Sequence, residues 1–386
     1  MNDLGTSWAT RLHSAKSGDV APLAHGRLPA EAAPFLVEYD LPPTMGAEWK
    51  RDLAGRSWSM WRYRELLPVQ RFDSRVDLGA GGTPLISVGS IFEHRPNVWV
   101  KDESGNPTGS FKARGLSLAI NRALELGAPG VQLPSAGNAA LAAAAYAAAA
   151  GLPCRVSMPS LTPGTVVERC RLYGAEVVLT GNDLSESAKS LAEFSDGYWD
   201  LSTFKEAYRV EGKKTMGFEI LEQLAWRPPA CIVYPTGGGT GIVALYKAFQ
   251  ELQSLGLLME PFPRLVSVQM SGCAPIVRAY ESGAKRVEPW VDPSTKVWGL
   301  RVPGSVADFL ILDALRSTGG TAISVEEEAI ASMQSRAARS CGLLIGPEGA
   351  AALLGLEKLL DQGWVEDNEP VVVFQTGHPS NYASGS

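Results

Sequence analysis

Short apolar runs alternate with longer segments of helical period along most of the chain. The runs Val98–Lys101, Gly130–Leu133, Cys154–Met158, Glu176–Leu179, Cys231–Tyr234, Leu265–Gln269 and Val371–Phe374 predict buried strands. Between them, Phe111–Leu126, Asn138–Ala150, Thr165–Tyr173, Asp183–Phe194, Lys213–Leu224, Gly241–Leu255 and Val325–Ser340 predict helices. Ser324 followed by Glu327 predicts a capping box that opens the last of these. Strands that alternate with helices predict an α/β protein, its parallel sheets covered by helices on both faces. Residues 1 to about 35 are rich in Ala, Gly, Pro and Ser without a period, and predict a loosely ordered arm. A short strand is expected over residues 33–40, stopped by Pro42-Pro43. Regular structure lapses between Trp199 and Arg209, which predicts a boundary between a smaller domain before it and a larger one after it.

Composition narrows the function. The 386 residues, 45% of them hydrophobic, are enough for two domains with their own cores. A net charge of -6 argues against a nucleic-acid footprint but allows a local pocket for a small anion. The segment 56–75 interleaves Trp58, Trp61, Tyr63 and Phe72 with arginines, a pattern that single-strand binders use. Nearby Glu65, Asp73 and Asp77 dilute that charge, so a packed arm is expected instead. Five scattered cysteines without CxxC spacing predict reduced thiols in a cytoplasmic protein, with no disulfide framework and no metal site. No secretory leader is read at the N-terminus. The alanine-rich run Ala139–Ala150 falls short of the roughly 20 residues a bilayer requires, so no membrane is expected.

Five stretches carry candidate chemistry, and all fall at strand ends or helix starts. In Asn106-Pro107-Thr108-Gly109-Ser110-Phe111-Lys112-Ala113-Arg114-Gly115, a turn leads into a helix that Ser110 is placed to cap. Lys112 then sits in the first helical turn, where the positive end of the helix dipole disfavours an ammonium. A neutral amine there can hold pyridoxal phosphate as a Schiff base, although the stretch alone equally suits a surface lysine. Ser135-Ala136-Gly137-Asn138 offers backbone N–H groups and an amide for an oxygen anion, or simply an N-cap. Gly237-Gly238-Gly239-Thr240-Gly241 suits a phosphate monoester; it lacks both the Walker lysine and the dinucleotide spacing. Thr376-Gly377-His378 follows the last strand, where a hydroxyl can meet a ring nitrogen or merely end the strand. Tyr208-Arg209-Val210-Glu211-Gly212-Lys213-Lys214-Thr215 is either an anion site or a solvated basic face.

Taken together these stretches resemble threonine synthase, within the tryptophan-synthase-β-like fold type II of pyridoxal-phosphate enzymes. The resemblance runs from about Tyr39 to Thr376 and also takes in Ser59–Pro68, Gly82-Thr83-Pro84-Leu85 and Pro347-Glu348-Gly349-Ala350-Ala351. It implies an α/β, two-domain fold with the cofactor between the domains: an arm (1–76), a smaller domain (107–205), and a larger domain (77–106 and 206–386). It implies that Lys112 carries pyridoxal 5'-phosphate, beside Phe111. Asn138 would meet the cofactor's phenolic oxygen, Gly237, Gly238, Gly239 and Thr240 its phosphate, and Thr376 its ring nitrogen. Ser135, Asn182 and Arg209 would hold the substrate. The activity implied is conversion of O-phospho-L-homoserine and water to L-threonine and phosphate, by a Schiff base, a ketimine, γ-elimination and β-hydration. Such enzymes are commonly cytoplasmic homodimers. The chain departs from the family pattern in two places. Ala113 stands where many threonine synthases have Asp, and His378-Pro379-Ser380-Asn381-Tyr382 replaces a Gly-Leu-Lys tail. Both keep open a threonine or serine ammonia-lyase, or a specialised β- or γ-replacement; a binding paralogue without turnover is the third reading.

Overall fold

The computed structural model describes residues 5–24, 34–92, 95, 97–194 and 196–382. Its largest sheet has six strands in the order Thr321–Val325, Arg264–Met270, Cys231–Pro235, Val371–Gln375, Val98–Asp102 and Leu85–Ser87. Neighbours run parallel except for the last pair, an antiparallel edge. A second sheet is parallel throughout, in the order Glu176–Leu179, Cys154–Met158, Val131–Pro134 and Trp199–Asp200. This is the α/β, two-domain, fold-type-II architecture. The central strands Cys231–Pro235 and Val371–Gln375 are buried at every residue, because apolar layers pack on both faces of the sheet. That double burial is why they read as unbroken apolar runs instead of alternating ones.

Three expectations need correction. The arm is not loosely ordered throughout: Val20–Ala21, Ala9–Ser14 and Phe35–Tyr39 form an antiparallel sheet. Its ladder joins segments far apart in sequence and seats Leu12 and Val37 in the core, which local periodicity does not register. Residue 33, where the short strand was expected to begin, lies outside the described residues. The helix expected over 325–340 starts later, at Ile330–Cys341, and Ser324 belongs to the strand Thr321–Val325. The Glu327 carboxylate instead accepts from Thr295 Oγ1 at 2.7 Å and Lys296 N at 3.0 Å, so no capping box forms. The helix expected from Lys213 begins at Tyr208 and runs to Gln223, because its basic first turns are buried and not solvated.

Two helices position the site. Lys112–Glu125 and Tyr208–Gln223 cross where both carry glycine: a Cβ on Gly115 would lie 2.7 Å from Arg209 O, and one on Gly212 would collide with Arg114 O. Between them Arg114, fully buried, pairs with Glu103 at 2.6 Å and Glu219 at 2.7 Å, and Lys101 joins Glu219 at 2.8 Å. These charges tie the Lys112 helix to the large sheet. The five cysteines are free thiols, four of them buried. Among the described residues, no helix is long and apolar enough to cross a membrane.

Candidate active site

The strands Cys231–Pro235 and Val371–Gln375 end at an open cleft. Phe111, Lys112, Asn138, Gly237, Gly238, Gly239, Thr240 and Thr376 all line it. Sequence reading therefore brings eight residues from four separate stretches to one place.

Lys112 is the first residue of its helix, as expected from the turn before it. Its amine is brought down from 10.5 to about 7, chiefly by burial and then by repulsion from Arg209, against attraction from Glu348. The direction matches the dipole argument; the main causes are desolvation and a neighbouring cation. Ser110 does not cap this helix. Phe111 occupies the cap position without a side-chain bond, and the buried Ser110 Oγ has no partner among the described residues. The Lys112 Nζ lies 4.5 Å from the Phe111 ring centre. Phe111 stands edge-on to Tyr234 at 6.1 Å, and Tyr234 contacts Phe374 at 4.9 Å, which gives the cleft an aromatic wall.

The glycine stretch forms a cradle at the start of the helix Thr240–Ser254. Gly239 has φ of +78°, which favours glycine, and a Cβ there would collide with Ile311. Among the described residues, none accepts a hydrogen bond from the backbone N–H of Gly237, Gly238 or Gly239. Lys213 reaches the same spot, and its Nζ donates to Thr240 Oγ1 at 2.6 Å. Burial, then Arg209 and Lys112, hold the Lys213 amine well below its ordinary value. Unpaired N–H groups, a cramped glycine turn and two lysines fit a phosphate group and an aldehyde, the two ends of pyridoxal phosphate.

Three other expected residues are placed differently. Arg209 is buried behind Lys112; its Nη1 donates to Leu201 O at 2.6 Å and its Nε has no partner among the described residues. Ser135 lies two residues before Gly137, the cap position of the helix Asn138–Ala150, and its Oγ accepts from Ala140 N at 3.2 Å. Asn182 is exposed, its backbone N–H and amide both held by Glu186, and it does not line the cleft. Sequence reasoning gave Glu348, Tyr382 and Tyr234 no role, and named Lys213 only within a stretch that is either an anion site or a solvated basic face. Burial raises Glu348 above the usual carboxylate range, and its Oε1 accepts from Gly299 N at 3.1 Å. A second buried acid, Glu206, is pushed up to about 7 by burial, against the pull of Arg209, and accepts from Tyr208 N at 2.6 Å. Glu348 and Lys213 lie in stretches that carried the resemblance, which was the available signal; Tyr382 lies in the divergent tail.

Lysine, phosphate cradle and fold together define an enzyme of the pyridoxal-phosphate class. Residues 76–377 match the model of the pyridoxal-phosphate dependent enzyme family, and the chain belongs to that family. Within it the chain is related to threonine synthases. It is 38% identical over 327 residues to the threonine synthase of Methanosarcina acetivorans, covering 83% of this chain and 79% of that protein. Identity to the threonine synthase of Methanocaldococcus jannaschii is 36% over 333 residues, covering 84% and 81%. Among solved structures, maize serine racemase superposes with a TM-score of 0.67 at 22% identity, covering 88% of this chain and 94% of that one. That likeness speaks for the fold.

Proposed function

We propose that this protein converts O-phospho-L-homoserine and water to L-threonine and phosphate. The observation that carries this reading is the relatedness to threonine synthases. The site is consistent with it. Burial holds the Lys112 and Lys213 amines and the Glu206 and Glu348 carboxyls toward their neutral forms. Lys213 and Arg209 donate to a hydroxyl and a carbonyl instead of a carboxylate, which leaves donors for an anionic substrate group.

Bound pyridoxal phosphate supplies an electron sink for a carbanion at the substrate's Cα. The chain does the rest. Gly237, Gly238, Gly239 and Thr240, with Lys213 donating to Thr240, would hold the cofactor's phosphate beside Phe111 and Lys112, while Asn138 would meet the ring oxygen and Thr376 the ring nitrogen. Lys112, about half neutral near pH 7, takes a proton at Cα and returns it. Ser135, Asn182 and Arg209 all lie outside the cleft lining; Arg209, whose charge reaches Lys112, would meet the substrate's anionic end. Ala113 leaves this chemistry unchanged, because it is fully buried in the core around the smaller sheet and does not line the cleft. The strand positions support a smaller domain over 107–205 and a larger one over 77–106 and 206–386, after an arm over 1–76. We place the protein in the cytoplasm as a homodimer.

The test is phosphate release from O-phospho-L-homoserine with threonine detected. Wild type is expected to turn over and Lys112→Ala to be inactive. A cofactor-loaded wild type that releases no phosphate but makes an oxo-acid from threonine overturns the substrate assignment in favour of an ammonia-lyase.

A further inference from the structure

Beyond Thr376 the chain turns back along the cleft. His378 N donates to Gly109 O at 2.7 Å and Phe111 N to Thr376 O at 3.1 Å, which pins this segment to the turn before Lys112. The seat is tight. A Cβ on Gly377 would lie 2.6 Å from the Tyr382 hydroxyl and 3.0 Å from Asn138 Nδ2, and one on Gly109 would lie 3.0 Å from Asn381 Nδ2.

Donor and acceptor chemistry fixes each orientation in this seat. Arg169 can only donate, and its Nη1 lies 3.0 Å from Asn381 Oδ1. The Thr108 and Gly109 carbonyls can only accept, and they receive Asn381 Nδ2 at 3.0 and 3.3 Å. Asn381 thus has one allowed orientation, and its amide also donates to Asn138 Oδ1 at 2.9 Å. With its oxygen taken, Asn138 directs Nδ2 to the Tyr382 hydroxyl oxygen at 2.8 Å. The phenol also lies near the buried Glu348 carboxyl, whose Oε2 has no hydrogen-bond partner among the described residues. One N–H of Asn138 is left over, and Asn138 lines the cleft.

We propose that Asn381 and Tyr382 are positioning residues that hold the Asn138 amide with its N–H, not its carbonyl, toward the ring oxygen of the bound cofactor. The inference rests on the reading of Asn138 given above. A reversed amide would set one oxygen against another that carries negative charge. The divergent tail thereby becomes part of the site's polarity.

The test is a pH titration of the visible absorbance of the holoenzyme, with melting temperature and turnover measured alongside, for Asn138→Ala, Asn381→Asp and Tyr382→Phe. Asn381→Asp keeps the shape and the Arg169 partner but replaces the donor with an oxygen, which forces Asn138 to turn. A phenolate that loses an N–H donor holds its proton more strongly, so Asn138→Ala is expected to move the titration upward by about one pH unit. Asn381→Asp should move it upward as far, and Tyr382→Phe upward by less. If Asn138→Ala shifts the titration while the other two do not, the tail is only structural and the inference falls, with the role of Asn138 intact. If Asn138→Ala leaves the titration in place, the reading of Asn138 falls and takes the inference with it. Tail variants that melt earlier but titrate like wild type also count against it.

Discussion

The reactivity of Lys112 follows from its surroundings and can be measured without substrate. Burial strips water from the ammonium and Arg209 repels it, while Glu348 partly restores it, and the outcome is a fall from 10.5 to about 7. At pH 7 about half the molecules then carry a neutral amine, against roughly one in three thousand for an ordinary lysine. The reactive form is enriched on the order of a thousandfold. The assay mixes cofactor-free protein with excess pyridoxal phosphate and follows Schiff-base formation by absorbance from about pH 5 to 10. The rate should climb about tenfold per pH unit below 7 and level off above it. Arg209→Gln removes a repulsion and should move the break upward, whereas Glu348→Gln removes an attraction and should move it downward. A wild-type rate still climbing beyond about pH 9 would refute the reasoning, because it would mean that the amine keeps its water. Two variants that shift the break in the same direction would refute the charge assignment.

Because the folded-state value of Lys112 lies below its unfolded one, the unfolded chain binds more protons between about pH 7 and 10.5. The lysine's contribution to the stability of the cofactor-free protein therefore rises with pH across that window, and urea midpoints of Lys112→Met should rise less steeply there than those of wild type. Arg114→Met strands Glu103 and Glu219 in the interior and should cost about 3–5 kcal/mol in urea unfolding, the usual result of breaking a buried ion pair. Lys213→Met removes the cation behind Thr240 and should weaken pyridoxal-phosphate binding about tenfold by equilibrium dialysis, or ~1.4 kcal/mol. The melting temperature of the cofactor-free protein should hold or rise, since a buried amine held only by the Thr240 hydroxyl has gone.

The parts of the fold that were legible are those where one chain segment carries its own signal. Central strands buried on both faces show as apolar runs, and the glycine cradle shows because a positive φ at Gly239 and contact with Ile311 admit little else. Of the edge strands of the two larger sheets only Glu176–Leu179 showed. Trp199–Asp200 is two residues long, and Thr321–Val325 runs straight into polar residues that look like a helix start. Cleft residues on a single short turn, such as Gly299 and Leu300 in the 3-10 helix Trp298–Leu300, span too few residues to carry a period. Ser135 shows a different failure: the hydroxyl expected to meet a ligand accepts backbone N–H groups, and the sequence is the same for either use.

The helix Tyr208–Gln223 explains why charge patterning misled and where it still points. A run with three basic residues reads as a solvated face only if polar side chains must face water. Here they are buried, and apart from Glu211 their partners come from distant segments. Lys214 pairs with Glu211 and Glu251, Glu219 with Arg114 and Lys101, and Glu222 with Arg62. Each such pair recovers much of its desolvation cost through geometry that no local window reveals. At the cleft end the pattern changes. Lys213 finds a hydroxyl instead of a carboxylate, Arg209 Nε has no partner among the described residues, and Lys112 and Lys213 both lie over the Phe111 ring. A fold that gives its buried charges carboxylate partners along most of one helix and leaves donors without them at one end has kept that end for an anionic ligand.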